Sequence, residues 1–501
     1  MKTYQALRLE ASRKANFWFI ITAARIWMTH ILLFIVLVLN IGCGTTEYST
    51  SKTLVKKSFE EIMKDYFKKL RFVEELTLET EMFSQIIISQ ETPNYFVEYL
   101  KANLKILPMN DSRQKILDLE IIPTGQIVDH SLEFKLDNPI PGRHEFGLKA
   151  EVLLRHEFHQ VTDKIAFPLQ VIPAEQIKYT RPSLIVDSDD EEIRTLSSSI
   201  AQGEDDLYRV VFEVSKWVRE NVRAHFDVST ISTSQKASWV LENRKGVCDE
   251  KTNLFIGLLR SLGIPAKFII GLVAINYNDA INFKPHGWAE VYFPSAGWVP
   301  FDLAYNQLGF IDATHIKLTE SVDTSDPLTS YEWKSVDISD PPNPYGWKSD
   351  NALVSIKDLE IKTKIKQRTG SITPLLEIKT KVWYRNIEIG SYNVVEATVV
   401  NPHKYYVITD ISLQTPDDLE ITGRNITKIL MEPGTIRTLY WIVKPTIDIE
   451  KRMIAVFPID VVSSRNASSS VKFSVAEAQG YPKISFEELE NAVKRKNMNA
   501  L

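Results

Sequence analysis

Cysteine is nearly absent from this chain of 501 residues: there are two, Cys43 and Cys248. Anything folded downstream of residue 43 therefore holds a single thiol and forms no intrachain disulfide, which excludes a disulfide-stapled scaffold. The cysteine pairs of structural zinc sites are missing as well, and the nine histidines show no clear metal constellation. No metal or other cofactor is expected. Basic charge is not in excess either, with 59 Lys and Arg against 64 Asp and Glu. Five of the basic and one of the acidic residues lie within the first 43, which leaves the remainder near −9. Such a surface does not favour nucleic acid or an anionic lipid face. Glycine (19) and proline (23) are too sparse for a low-complexity chain. At 44% hydrophobic and 25% charged, the chain is expected to fold, and its length requires more than one core.

Long apolar runs are scarce too. The one that occurs, Ile26 to Cys43, has 18 residues without Asp, Glu, Lys or Arg, broken by His30 and Asn40. It is just long enough to cross a bilayer. The basic segment before it, residues 1–25, predicts a cytoplasmic N-terminus and an outward-facing remainder. The expected localisation is thus the cell membrane, single-pass, with the C-terminal part outside. A lipoprotein signal ending at Cys43 and a buried soluble helix are the alternatives; Asn40 and Ile41 make a poor lipobox.

The rest of the chain divides by pattern. Residues 44–109 read as a polar, then charged helical stalk. Residues 110–181 alternate in short runs ("HSLEFKLDNP", "EFGLKAEVLLRHEF") punctuated by Pro and Gly, which predicts a β-sandwich. Over 182–348 the pattern turns helical. Ser188 and Glu191 have the spacing of a capping box, and Val210, Val211, Val214, Trp217 and Val218 mark one face of an amphipathic helix. Residues 349–480 alternate again and predict an immunoglobulin-like sandwich. Asp337 to Lys348 reads as a linker and 481–501 as a tail. The fold class is α+β.

Cys248 stands in "RKGVCDEKTNLFIGLLRSLGIPAKF". Gly246 permits a sharp approach, Cys248 opens a helix with Leu254, Phe255, Leu258, Leu259 and Leu262 as its apolar positions, and Gly263 and Pro265 end it. A thiol at a helix N-terminus is a potential nucleophile. Asp249 and Glu250 oppose its ionisation, so a base partner is required. "HGWAEVYFPSAGWVPFD" supplies His286 and Asp302 on the two strands of a hairpin centred on residue 294, which sets them directly opposite one another. An aspartate fixes the tautomer of a histidine and favours the imidazolium formed when it takes a thiol proton. A His-paired thiolate is expected to outweigh the two carboxylates and to react already at pH 6. Trp288, Glu290, Trp298 and Phe301 read as scaffold.

These segments resemble the core of the transglutaminase-like superfamily: "KGVC", a Leu-rich helix closing in "GIPA", then "HGWAE" and "GWVPFD". The resemblance covers roughly residues 182–320. It implies a papain-like core flanked by the two sandwiches, with Cys248 as nucleophile, His286 as base and acid, and Asp302 as orienter. It departs at Asp249-Glu250-Lys251, where small residues are commoner, and at Gly287, where Ala or Val is usual. The Cys248 N–H is the physical candidate for an oxyanion donor; Trp217 and Trp239 are not decided by spacing. The expected activity is that of a membrane-anchored, prokaryotic-style cysteine protease or amidase acting on protein or peptide. A cross-linking transglutaminase and a non-catalytic surface adhesion protein are the alternatives. No feature sets an oligomeric state.

Overall fold

Strand alternation begins earlier in the chain than its Pro and Gly punctuation implies. In the computed structural model, which describes residues 70–89, 95–225, 234–277, 280–337, 354–447, 454–477 and 480–498, the segment "ELTLETEMFSQIII" is one long strand, β1 (Glu75–Ile88). Its even positions, Leu76, Leu78, Thr80, Met82, Ser84 and Ile86, are buried. The charged odd positions Glu75, Glu79 and Glu81 are less buried. β2 (Tyr95–Leu104), β3 (Gln114–Ile122), β4 (Gln126–Val128), β5 (Ser131–Asp137) and β6 (Gly142–Arg155) follow. The expected stalk over 44–109 is therefore corrected from Glu75 onward: this stretch supplies two strands of the first sandwich.

The chain then leaves that sandwich. It builds α1 (Glu191–Ile200), α2 (Leu207–Asn221), α3 (Ala237–Asn243) and α4 (Cys248–Ser261), then β7 (Ala266–Tyr277), β8 (Ala280–Phe293), β9 (Gly297–Asp302) and β10 (His315–Ser321). It returns with β11 (Thr329–Asp337) and β12 (Val354–Thr369). The sandwich sheets run β12-β1-β6-β3 and β11-β2-β5-β4. Both thus incorporate strands from beyond the inserted core. Residues 329–337 and 354–369 belong to the first sandwich, and the expected boundaries at 110–181, 182–348 and 349–480 move accordingly.

Helix α1 is capped by Asp190, whose carboxylate accepts from the Glu192 and Ile193 N–H groups at 3.0 and 3.1 Å. The cap thus falls two residues later than the expected Ser188. The inserted sheet is ordered Gln307–Leu308, β9, β8, β7, β10. One face buries Phe268, Ala289, Val291 and Phe301 against Leu254, Phe255, Leu258 and Leu259 of α4. Leu272, Ala274, Phe283, Ile316 and Leu318 enter the core of the first sandwich instead.

Among the described residues, nine strands between Glu377 and Ala476 form the second sandwich, in sheets of four and five. Its Tyr406, Ile408 and Leu430 share the core of the helical layer, and the Tyr406 hydroxyl donates to Asp206 Oδ2 at 2.5 Å. The expected tail at 481–501 contains a helix, α5 (Phe486–Met498), which buries Leu489 in this sandwich. The expected anchor at 26–43 and most of the expected linker lie outside the described residues. No described helix is long and apolar enough to cross a membrane.

Candidate active site

Cys248 is the first residue of α4 and is half-buried. Two local devices set the helix start there. The Val247 N–H donates to Glu250 Oε2 at 2.9 Å, half of a reciprocal cap. Gly246 is required beside it, because a Cβ at 246 would lie 2.3 Å from the Glu250 Cβ. At the other end Gly263, at φ 74°, closes the helix, with the Ile264 N–H returning to Leu259 O at 3.0 Å.

The N-terminus of α4 abuts β8 at Gly287. Thr252 Oγ1 donates to Gly287 O at 3.5 Å, and the Gly287 backbone N–H lies near the Cys248 sulfur. A Cβ at 287 would lie 2.8 Å from Asp249 Oδ1 and 2.3 Å from the Phe268 ring. The two departures from the family pattern are thus one fit: the missing side chain at 287 makes room for the carboxylate at 249.

His286 and Asp302 are brought together, but not in the expected register. Gly297 pairs with Phe293 and Phe301 with Ala289. Gly297 adopts φ 74° and closes a three-residue loop, so the hairpin centres on 295 rather than 294. His286 and Asp302 are diagonal neighbours on one face, still within reach of each other. His286 Nε2 donates to Asp302 Oδ2 at 2.6 Å, with both side chains buried. The Tyr305 N–H donates to Asp302 Oδ1 at 2.9 Å, and the Tyr305 ring meets His286 edge-on at 4.9 Å. Burial alone would raise the Asp302 pKa. The His286 charge and hydrogen bond, followed by those of His315, overcome it and hold the carboxyl far below its usual range.

The sulfur goes the other way. Burial, then the Asp249 carboxylate, push the Cys248 thiol well above its ordinary value, and only the Gly287 N–H works against them. Cys248 Sγ donates to Asp249 Oδ1 at 3.4 Å, which favours the protonated form. A helix dipole contributes ~0.3–1 kcal/mol, under one unit at ~1.36 kcal/mol each. Burial and the Asp249 carboxylate thus push against the thiolate expected at pH 6.

Trp288 is buried between His286 and His315. Glu290 is clamped by Lys317 at 2.9 Å and Lys267 at 3.0 Å, Lys267 lies over the Trp298 ring, and Phe301 is in the core. Trp217 and Trp239 stack beneath Arg244 and Lys245. The Cys248 N–H, at the first position of a helix, is one that no intrahelical carbonyl reaches.

The sequence reading passed over His315 and Asp312, which continue the hydrogen bonds beyond Asp302. Asp-x-x-His is too common a spacing to have signalled them. Ligand-type atoms of His286, Asp302 and His315 lie within 4.8 Å of one another. Both Nε2 atoms and Asp302 Oδ2 are taken up by hydrogen bonds among themselves.

Residues 194–303 match the sequence profile of the transglutaminase-like superfamily. The uncharacterized protein YebA of Bacillus subtilis is 30% identical over 130 residues. That stretch is 23% of this chain and 18% of YebA, so only a small part of each protein is compared. Among solved structures, a candidate cysteine protease from Cytophaga hutchinsonii is 18% identical with a TM-score of 0.43. The match covers 60% of this chain and 93% of that one.

Proposed function

Starting from a chain that carries a transglutaminase-like superfamily domain at residues 194–303, we propose a membrane-anchored cysteine hydrolase that cleaves amide bonds of protein or peptide substrates. The carrying observation is the buried 2.6 Å contact of His286 Nε2 with Asp302. A carboxylate only accepts, so Nε2 holds the proton and Nδ1 is left as the basic nitrogen. With a substrate carbonyl over Cys248, the thiol proton passes to His286 Nδ1 and the sulfur bonds the carbonyl carbon. The Cys248 N–H donates to the oxyanion. Collapse breaks the C–N bond, the amine leaves with the proton from His286, and a thioester remains. Water, deprotonated by His286, attacks that thioester. The acid departs and the thiol regains its proton. The upward push of burial and Asp249 on the thiol fits this order, in which the sulfur gives up its proton to His286 as it bonds the carbonyl carbon.

The test is to incubate the full chain and its Cys248→Ala variant with a digest of surface proteins and to analyse the products by mass spectrometry. New peptide termini that depend on Cys248 support hydrolysis. New Gln–Lys links in their place support transglutaminase chemistry, and no difference between the two proteins refutes a catalytic role. The anchor at 26–43 has its own test. Alkaline carbonate should leave the full chain in the membrane pellet and release a chain lacking residues 1–43; release of both overturns it.

A further inference from the structure

Asp302 Oδ2 accepts a second hydrogen bond, from His315 Nε2 at 3.2 Å, and His315 Nδ1 lies 2.9 Å from Asp312 Oδ1. His315, Asp302 and Asp312 are all fully buried. Asp312 is held as an anion by donors from three directions: the Thr314 N–H at 2.9 Å, the Thr314 hydroxyl at 2.6 Å and the Gln307 amide at 2.6 Å. Both nitrogens of His315 therefore face carboxylate oxygens, and a carboxylate can only accept. Each nitrogen must carry a proton, which makes the ring a cation.

The charge on the ring gives the arrangement a purpose. A cation hydrogen-bonded to Asp302 keeps that buried carboxylate ionised, and an ionised Asp302 stabilises the imidazolium when His286 takes a proton. We propose that His315 and Asp312 form a second, buried histidine–carboxylate pair that positions Asp302 and sets its charge, so that the site is poised to accept the thiol proton of Cys248. This rests on the reading of Cys248 and His286 as a reacting pair. The superfamily match ends at residue 303, before either residue.

Burial works against a charge on His315, but the Asp312 carboxylate and the hydrogen bonds to both aspartates outweigh it and raise its pKa. The other charged groups facing the pair are Arg71, Arg113 and His156 on the Asp312 side, and Arg219 and Lys251 on the Asp302 side. Of these, burial pushes His156 down to about 4, so it is uncharged at neutral pH. Arg113 spends an N–H on the His315 carbonyl, at 2.8 Å.

Two measurements on the full chain test the proposal. Selective ¹⁵N-histidine labelling of the wild type should show one imidazole with both nitrogens protonated at pH 7.5, a signal lost in His315→Gln. A wild-type His315 that is neutral at pH 6.5 overturns the proposal without any variant. The second measurement is the pH profile of iodoacetamide alkylation at Cys248. Without the His315 donor Asp302 is no longer held toward His286, so the imidazolium formed with the thiolate loses its partner and the profile of His315→Gln should move about one unit to higher pH. Asp312→Asn should move it in the same direction. The double variant should move it no further than the larger single shift, because the same charge is lost. A merely structural role predicts slower or less complete labelling with an unmoved midpoint in folded protein, and that result overturns the proposal. Alkylation needs no substrate. A shifted profile in a protein that cleaves nothing thus defeats the hydrolase reading alone, and cleavage with an unmoved profile defeats this one alone.

Discussion

Asp249 is the residue on which the reactivity of Cys248 turns. Its carboxylate accepts from the sulfur at 3.4 Å and ranks next after burial in raising the thiol. Asp249→Asn removes the charge at nearly constant volume, so alkylation at pH 8 should rise about tenfold, one unit of thiol pKa; equal rates in the two proteins would contradict the assignment. A different pH limit applies to Asp302 and Asp312. Both are depressed in the folded state, so their contribution to stability is complete above the unfolded carboxylate range of about 3.9. It is lost progressively as pH falls below that range. Urea midpoints should drop steeply between pH 4 and pH 2.5 in the wild type and less steeply in Asp312→Asn, which has already given up one such carboxylate.

Among the elements, β10 shows what a local motif leaves out. Its backbone is held by the first sandwich: Gln114 Nε2 donates to Lys317 O, and the Lys317 N–H donates to Gln114 Oε1, both at 2.8 Å. The Met109 N–H also donates to Lys317 O, at 3.0 Å. Gln114→Leu leaves the buried Lys317 N–H without its partner, while Lys317 O keeps the Met109 N–H, and should cost about 1–3 kcal/mol of unfolding free energy for the one unsatisfied group. It should also shift the labelled His315 resonance, which sits two residues away. An unchanged spectrum with lowered stability would separate the grip from the site.

The Cys248 helix and the hairpin partners were legible because each is written in contiguous residues: a glycine before the thiol, a glycine and a proline after the helix, a turn between two strands. The register was misread by two positions, because the left-handed Gly297 closes a three-residue loop that spacing alone does not distinguish. β1 was absorbed into the stalk expected over 44–109, although its buried positions recur with a period of two. His315 was invisible because its spacing to Asp312 is too common to signal anything, and Gln114 because its partner Lys317 lies 203 residues away and only the fold introduces it.

For the whole molecule, the three parts do not meet at linkers. Arg219 Nη1 donates to Leu303 O at 2.7 Å, just after Asp302. Lys428 and Asp410 of the second sandwich hold the Asn306 side chain, and Arg465 donates to Leu308 O at 2.8 Å. The loop that carries Tyr305 onto Asp302 is therefore gripped from the C-terminal side, as β10 is from the N-terminal side. A fragment of residues 182–348 contains every motif position but neither grip. It should lack a cooperative thermal transition and should label Cys248 without the pH dependence of the whole, whereas a chain of residues 59–501 should keep both. A well-folded 182–348 fragment with the wild-type profile would show that the sandwiches are dispensable.

β1 pairs with β6 on one edge and β12 on the other, and Thr80 finds the hydroxyl of Thr363 283 residues later. That separation is also an interval of time. At ~5–20 residues per second of synthesis, β1 waits roughly 15–60 seconds for its second neighbour. Throughout that wait a strand of 14 residues keeps one edge bare, the kind of edge that recruits other chains. Nascent chains halted before Val354 should therefore associate with one another and remain open to protease at β1, and chains halted well beyond Thr369 should not. The thiol-bearing insert is in this sense enclosed by its own scaffold: the first strand of the sandwich precedes it off the ribosome and the last one follows it.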